Sequence, residues 1–361
     1  MLPSCRPAIC SHSLGRAWVH DLPSKLDAAS HHGLDIELFY EDLLYVAQDL
    51  PSGATPANHL TAAHLIRSMC DERNINIVCL QPFMHYDGLR DRVKHTERVE
   101  EMRTWIEMAK ILGTKLIAIP STCLPESQVS GDIELITEDM REVADLCAPH
   151  GIELAYEALC WGTHVDTWEA TWDIVQRVDR PNFKLCLDTY NIAGRVYADP
   201  TSPTGKDPNA EADLTASLAR MVRTLDVEKL AFVQVVDAER LAEPLLPGHP
   251  FYNPEQCARM SWSRNCRLFY GEQDRGAYLP IKAILKAILV DLGYKGVVSA
   301  ELFNRSLVEP DRSVPEGHAR RAVESWQKIV KDFGLQKTPA TTSRKAESAP
   351  PVLEQAPRAQ L

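Results

Sequence analysis

No run of apolar residues in this sequence approaches the roughly 20 needed to cross a membrane. The opening MLPSCRPAIC lacks the basic-then-apolar pattern of a secretory signal. Positive charge is in short supply. Lys and Arg number 39 against 50 Asp and Glu, a net charge of -11. Nucleic acid is therefore not expected as a partner, because a phosphate backbone needs a basic face. A small anion is not excluded, since one or two local arginines suffice for it. The 10 cysteines form no CxxC pair and no regular spacing, so neither a zinc site nor a disulfide frame is expected. Cys79, Cys160 and Cys186 lie inside apolar runs, where a thiol behaves as a small hydrophobe. Reduced thiols fit a cytosolic protein. The first apolar run is followed by SHSLGRAW, not by a Gly-rich phosphate loop, so a dinucleotide fold of the doubly wound kind is not favoured.

Ordinary globular material is present: 45% hydrophobic and 25% charged residues. Eight short apolar runs read as strands: Pro7–Cys10, Leu34–Phe39, Ile75–Gln81, Lys115–Ile119, Ile152–Tyr156, Phe183–Leu187, Leu230–Val236 and Gly296–Ala300. Amphipathic segments between them read as helices, at Asp21–His32, His59–Asn74, Val93–Leu112, Ile133–His150, Thr167–Val178, Ala210–Glu228, Leu279–Leu292 and Pro315–Phe333. Several pass to the next strand through a glycine, as in ILGTKLIAI and PHGIELAY. Repeated strand–helix units imply parallel strands buried on both faces. Eight units predict a (β/α)8 TIM barrel over residues 1–335. Long connections follow the sixth strand (Arg195–Asn209) and the seventh (Asp237–Gly276), which places both on the catalytic face. Residues 336–361, rich in Ala, Pro, Ser and Thr, are expected to be a disordered tail.

The strand ends carry the chemistry. IELAYEAL reaches Glu157, KLCLDTY reaches Asp188, LAFVQVVD carries Gln234, and GVVSAELF reaches Glu301. Any one of these acids alone reads more simply as a cap or an ion-pair partner. At four consecutive strands of one barrel they converge on the axis. Carboxylates gathered in a low-dielectric pocket repel, and a shared divalent cation relieves that repulsion. Hard oxygen donors suit Mg²⁺ or Mn²⁺, with Co²⁺ acceptable.

The stretches AYEAL, CLDTYNIAGRVYADP, FVQVVDAER and SAELFNRS resemble the xylose-isomerase-like superfamily of metal-dependent TIM barrels. Within it, the chain is similar to the fungal 3-dehydroshikimate dehydratases of quinate breakdown, from LGRAW through ELFYEDL, LQPFMHYDGL, ALCWGTHVDTWE and RLFYGEQDRGAYLP to about Phe333. The resemblance implies that Glu157, Asp188, Gln234 and Glu301 hold a divalent metal (Mg, Mn or Co). It implies that the substrate, 3-dehydroshikimate, loses water to give protocatechuate. Gln234 stands where many sugar isomerases of the superfamily carry histidine. The chain departs from the bacterial dehydratases at Met84, where they carry a basic or polar residue, and at Asn191, where they carry histidine.

That departure leaves the acid and base open. His85 and His164 follow the third and fifth strands, and either could move protons near neutral pH. A lone histidine is as often a packing residue. Tyr190 is a further candidate for a catalytic hydroxyl. The substrate carboxylate needs a cation, and Arg267 and Arg240 lie in the loop after the seventh strand, Arg267 flanked by apolar residues. Glu41, Ser121 and Asn191 are expected to meet substrate polar groups. Two rival functions fit the same residues. One is a sugar isomerase or epimerase using Glu157 and Glu301 as a proton-shuttling pair. The other is a barrel without catalysis that serves binding or regulation.

Overall fold

A computed structural model of the chain describes residues 5–335. The tail expected at 336–361 lies outside the described residues. Eight parallel strands close a barrel: β1 (Arg6–Cys10), β2 (Asp35–Phe39), β3 (Ile77–Gln81), β4 (Leu116–Pro120), β5 (Glu153–Glu157), β6 (Phe183–Asp188), β7 (Leu230–Gln234) and, after a small ribbon, β10 (Val297–Ala300). The ribbon pairs β8 (Asp237–Ala238) antiparallel with β9 (Arg267–Leu268). Going round the barrel the order is β1-β10-β7-β6-β5-β4-β3-β2. All eight predicted strands are present, shifted at their ends by one or two residues.

The core has two shells because strand side chains alternate with period two. One set faces out against the helices, among them Leu154, Leu185, Leu187 and Val233. The other faces the axis. It is built of small residues: Ala8, Cys79, Ala118, Ala155 and Cys186, with Phe232 and Val297 filling the remainder. Two residues further along the same inward face come Gln81, Glu157, Asp188, Gln234 and Ser299. The rule that buries an alanine at position 155 therefore also aims Glu157 at the axis.

Capping explains where the elements start and stop. Asp21, Asp91, Asp132 and Thr167 accept backbone N–H groups at four helix N-termini, each worth about 1 kcal/mol. Gly113 and Gly151 close helical segments at φ 72° and 67°, where a Cβ would be strained. Three helices escaped the sequence reading: Tyr40–Gln48, Thr189–Val196 and Ala258–Cys266. The first two begin immediately at a strand end, so no turn residues announce them. The predicted helix Ile133–His150 ends at Cys147, where Pro149 forces a tighter 3-10 turn over Ala148–His150.

Candidate metal and active site

Asp188 answers to two elements at once. Its Oδ1 accepts the backbone N–H of Tyr190 at 2.8 Å and so caps the helix Thr189–Val196. Its Oδ2 turns to the axis. There it meets Asn191 Nδ2 at 2.9 Å and Arg267 Nη1 at 2.9 Å. The same Nη1 donates to Glu301 Oε2 at 2.8 Å. Asn191 Nδ2 also donates to Glu157 Oε1 at 2.7 Å, while its Oδ1 accepts the Cys160 N–H. Glu157, Asp188 and Glu301 each offer an oxygen within 4.8 Å of the others, and all three residues are 4% exposed or less.

These acids do not sit easily together. Two unit charges 4.8 Å apart repel by about 3 kcal/mol even at an effective dielectric of about 20. Burial raises the Glu157 carboxyl well above its ordinary range, and the charges of Glu301 and Asp188 add to this. Burial also raises Asp188, with Arg267 opposing it. Glu301 is pushed up to about 7 by burial, again against the pull of Arg267. One guanidinium cannot balance three carboxylates. The repulsion can be relieved by carboxyls that hold protons or by a divalent cation, for which these hard oxygen donors are suited.

A fourth acid lies below them, and the sequence reading missed it. Glu37, inside β2, is fully buried. Its Oε1 accepts Gln81 Nε2 at 2.9 Å and Gln234 Nε2 at 2.7 Å, and its Oε2 accepts Ser299 Oγ at 2.5 Å. Gln81 Nε2 also donates to Glu301 Oε1 at 2.8 Å. Burial and the charge of Glu301 push Glu37 up to about 8. The consequence for Gln234 is directional. With its NH₂ held by Glu37, its Oε1 is left for the axis, where Cys186 Sγ approaches at 3.3 Å. A signal was available: an acid in the apolar run DIELF and a glutamine ending IVCLQ, the same features that marked Gln234.

The remaining candidates divide. Arg267 is at the site and buried, but as a partner of the acids. Nη1 is spent on Asp188 and Glu301 and Nε on Ser263 Oγ, so the free two-pronged fork expected for a substrate carboxylate is not there. Tyr190 lies under it, ring centroid 4.3 Å from the guanidinium carbon, with its hydroxyl donated to the Arg259 carbonyl. That geometry supports Arg267 and leaves no phenolic proton for a substrate. Asn191 is likewise saturated by protein groups. Ser121 is buried, its Oγ accepting the Leu159 N–H, and its backbone N–H donates to the Glu157 carbonyl. Glu41 is partly exposed beside Arg16, at 3.5 Å. Arg240 is exposed on the loop after β8, next to Gly205 and away from the acids. His85, at φ 57°, faces Thr122 Oγ1 at 3.5 Å and borders a groove of about 510 Å³. His164 packs against Gly131, where a Cβ would come within 2.9 Å of its Nδ1. Both histidines stand on the rim, outside the acid cluster.

Residues 26–329 match the family model for xylose isomerase-like TIM barrels. The chain belongs to that family. It is 56% identical over 338 residues to the 3-dehydroshikimate dehydratase of Neurospora crassa, covering 91% of this chain and 94% of that protein. It is 30% identical over 286 residues to the 3-dehydroshikimate dehydratase of Pseudomonas aeruginosa, covering 78% of this chain but only 36% of the bacterial protein. Among solved structures, a fusion of a xylose isomerase-like TIM barrel with a 4-hydroxyphenylpyruvate dioxygenase superposes with a TM-score of 0.68 at 24% identity, covering 93% of this chain and 45% of that one. The family's barrel is the architecture described above. Apart from Cys5, the cysteines of this member are free thiols, and eight of those nine are buried or half-buried. Among the described residues no helix is long and apolar enough to cross a membrane.

Proposed function

We propose that this chain dehydrates 3-dehydroshikimate to protocatechuate with a divalent metal held by Glu157, Asp188, Gln234 and Glu301. The observation that carries the reading is the buried oxygen cluster, under-neutralised by Arg267 alone. The named activity of the Neurospora relative, matched along most of both chains, supplies the substrate. Mg²⁺, Mn²⁺ or Co²⁺ fits the donor set. Bound there, the cation supplies Lewis acidity toward the ring ketone.

The protein's own groups do the rest. Asn191 holds one oxygen each of Glu157 and Asp188 in place. Glu37 fixes the Gln234 amide. Arg267 offsets part of the charge and leaves Nη2 uncommitted toward an anionic substrate. The reaction removes a proton from the carbon beside the ketone and hydroxide from the next carbon. Enolisation then yields the aromatic acid, and the sum is loss of one water. A histidine that serves as base for the first step must be neutral before it acts. Burial and the nearby Arg98 charge keep His85 below its ordinary titration range, and we assign it with His164 as the candidates for proton transfer. The thiols suit a reducing compartment such as the cytosol, where quinate catabolism would run.

Purified full-length protein, loaded with Mg²⁺, Mn²⁺ or Co²⁺, should produce the ultraviolet absorbance of a catechol acid from 3-dehydroshikimate. Chelation should abolish it, and re-addition of metal should restore it. Metal-loaded protein that leaves 3-dehydroshikimate untouched but interconverts ketoses would overturn the proposal in favour of a sugar isomerase.

A further inference from the structure

His12 follows β1 on the 3-10 turn Ser11–Leu14, at the mouth of the barrel. Its ring lies between Phe39 at 4.6 Å and Phe303 at 4.4 Å, centroid to centroid. It is 1% exposed. Neither ring nitrogen has a hydrogen-bond partner among the described residues. An unmet buried polar group destabilises the fold, so for packing alone a third phenylalanine would serve this slot better. The carboxylate of Glu41 comes to 3.9 Å from Nδ1, beyond hydrogen-bond range.

The surroundings fix the imidazole close to the acid cluster. Phe303 is two residues past Glu301, and the guanidinium carbon of Arg267 lies 5.0 Å from the same ring. Thus His12 and Arg267 share Phe303 as a wall, and Arg267 touches both Asp188 and Glu301. The neighbouring Ser13 is tied to the strand that delivers Glu301. Its Oγ accepts the Leu302 N–H at 2.7 Å and donates to the Ala300 carbonyl at 3.3 Å. Burial, with Arg16, Lys25 and Arg267 around it, disfavours a charged ring. A neutral imidazole offers one donor and one acceptor. The carboxylate on the Nδ1 side favours the proton there, leaving Nε2 as the acceptor.

We propose that His12 is a substrate-binding residue whose imidazole hydrogen-bonds a ring hydroxyl of the substrate at the barrel mouth. This rests on the dehydratase reading, because that substrate is a hydroxylated six-membered ring. A hydroxyl can give and take a hydrogen bond, which matches a neutral imidazole. An analogue without that hydroxyl would leave the buried nitrogen unmet and would be rejected.

The test uses metal-loaded full-length protein with His12→Phe and His12→Gln. Phenylalanine preserves the aromatic stack, so the expected His12→Phe protein melts at or above the wild-type temperature with wild-type metal content. Its kcat/KM for 3-dehydroshikimate should fall about 100-fold, chiefly through KM. His12→Gln, which retains an acceptor and a donor, should recover part of the loss. Calorimetric binding of shikimate, which keeps the ring hydroxyls and replaces the ketone, should weaken at least tenfold in His12→Phe. That last readout needs no turnover. A wild type that binds shikimate but does not dehydrate 3-dehydroshikimate would sink the dehydratase reading, and the shikimate affinity of His12→Phe would then decide the role of His12 by itself. Kinetics and shikimate affinity within threefold of wild type in His12→Phe would overturn the proposal. So would loss of both melting temperature and metal in the two variants alike, which would make His12 structural.

Discussion

At the ends of β5, β6 and β10 three carboxylates and a guanidinium are packed at 4% exposure or less. Next to β5, the segments that follow β3 and β4 leave an open groove of about 510 Å³ bordered by His85, Arg90, Lys94, Arg98, Leu124 and Gln128. The two sides handle charge in opposite ways. On the closed side every ion is desolvated, so each must be met by a partner of fixed geometry. On the open side Arg90 and Lys94 are exposed, and water screens them. Substitutions should therefore be severe on the closed side and mild on the open one.

The strongest break in that contrast is at the acids. Glu157→Gln and Asp188→Asn should each abolish nearly all turnover and stoichiometric metal binding, yet leave the barrel folded. Asparagine still caps a helix nearly as well as aspartate. Near wild-type activity in either variant with chelator present would remove the metal from the account.

Arg267→Ala comes next. Losing one partner of a buried charge network typically costs about 2–5 kcal/mol, so kcat/KM should drop by roughly two orders of magnitude. The structure adds a sharper expectation. The bereft carboxylates can be rescued by a cation, so the melting temperature should fall further in chelated protein than in metal-loaded protein. An equal fall in both would mean that Arg267 does not share the acids with a metal.

Glu37→Leu probes the layer beneath. With the carboxyl group gone, Gln81 and Gln234 lose their common acceptor and Gln234 is free to flip. Metal affinity measured by calorimetry should weaken about 10–100-fold, the usual effect of disturbing groups that orient ligands. Unchanged affinity would show that Gln234 is oriented by something else.

The mildest change is expected at the groove. Lys94→Ala should alter kcat/KM by less than about threefold at physiological salt, since exposed charges contribute little. A larger effect would make the groove part of the substrate's path.

How much of this the sequence disclosed follows from where each group sits on the chain. Glu157, Asp188 and Glu301 could be read because an acid terminating an apolar strand is conspicuous, and Gln234 because it interrupts one. Glu37 and Gln81 have the same inward phase but were absorbed into their strands, Glu37 by position and Gln81 by its uncharged side chain. His12, Phe39 and Phe303 carry no periodic signal. Their meeting depends on the closure of β1 between β2 and β10, which no local pattern encodes. Arg267 was legible as an arginine in apolar company but not as a partner of Asp188. They stand 79 positions apart, and the stretch between includes one arm of the ribbon and two helices unseen in the sequence.

The seam between β1 and β10 has a bearing on how the molecule comes into being. Ser13 and Ala300 are 287 positions apart, and their bond adjoins Glu301. Such a contact forms only after nearly the whole barrel has been synthesised and wound. Glu157 and Asp188 wait on the growing chain with an incomplete set of neighbours until the last strand docks against the first. The acid cluster is thus complete only once the last strand has joined the first, and a working enzyme certifies that the ring of strands has closed.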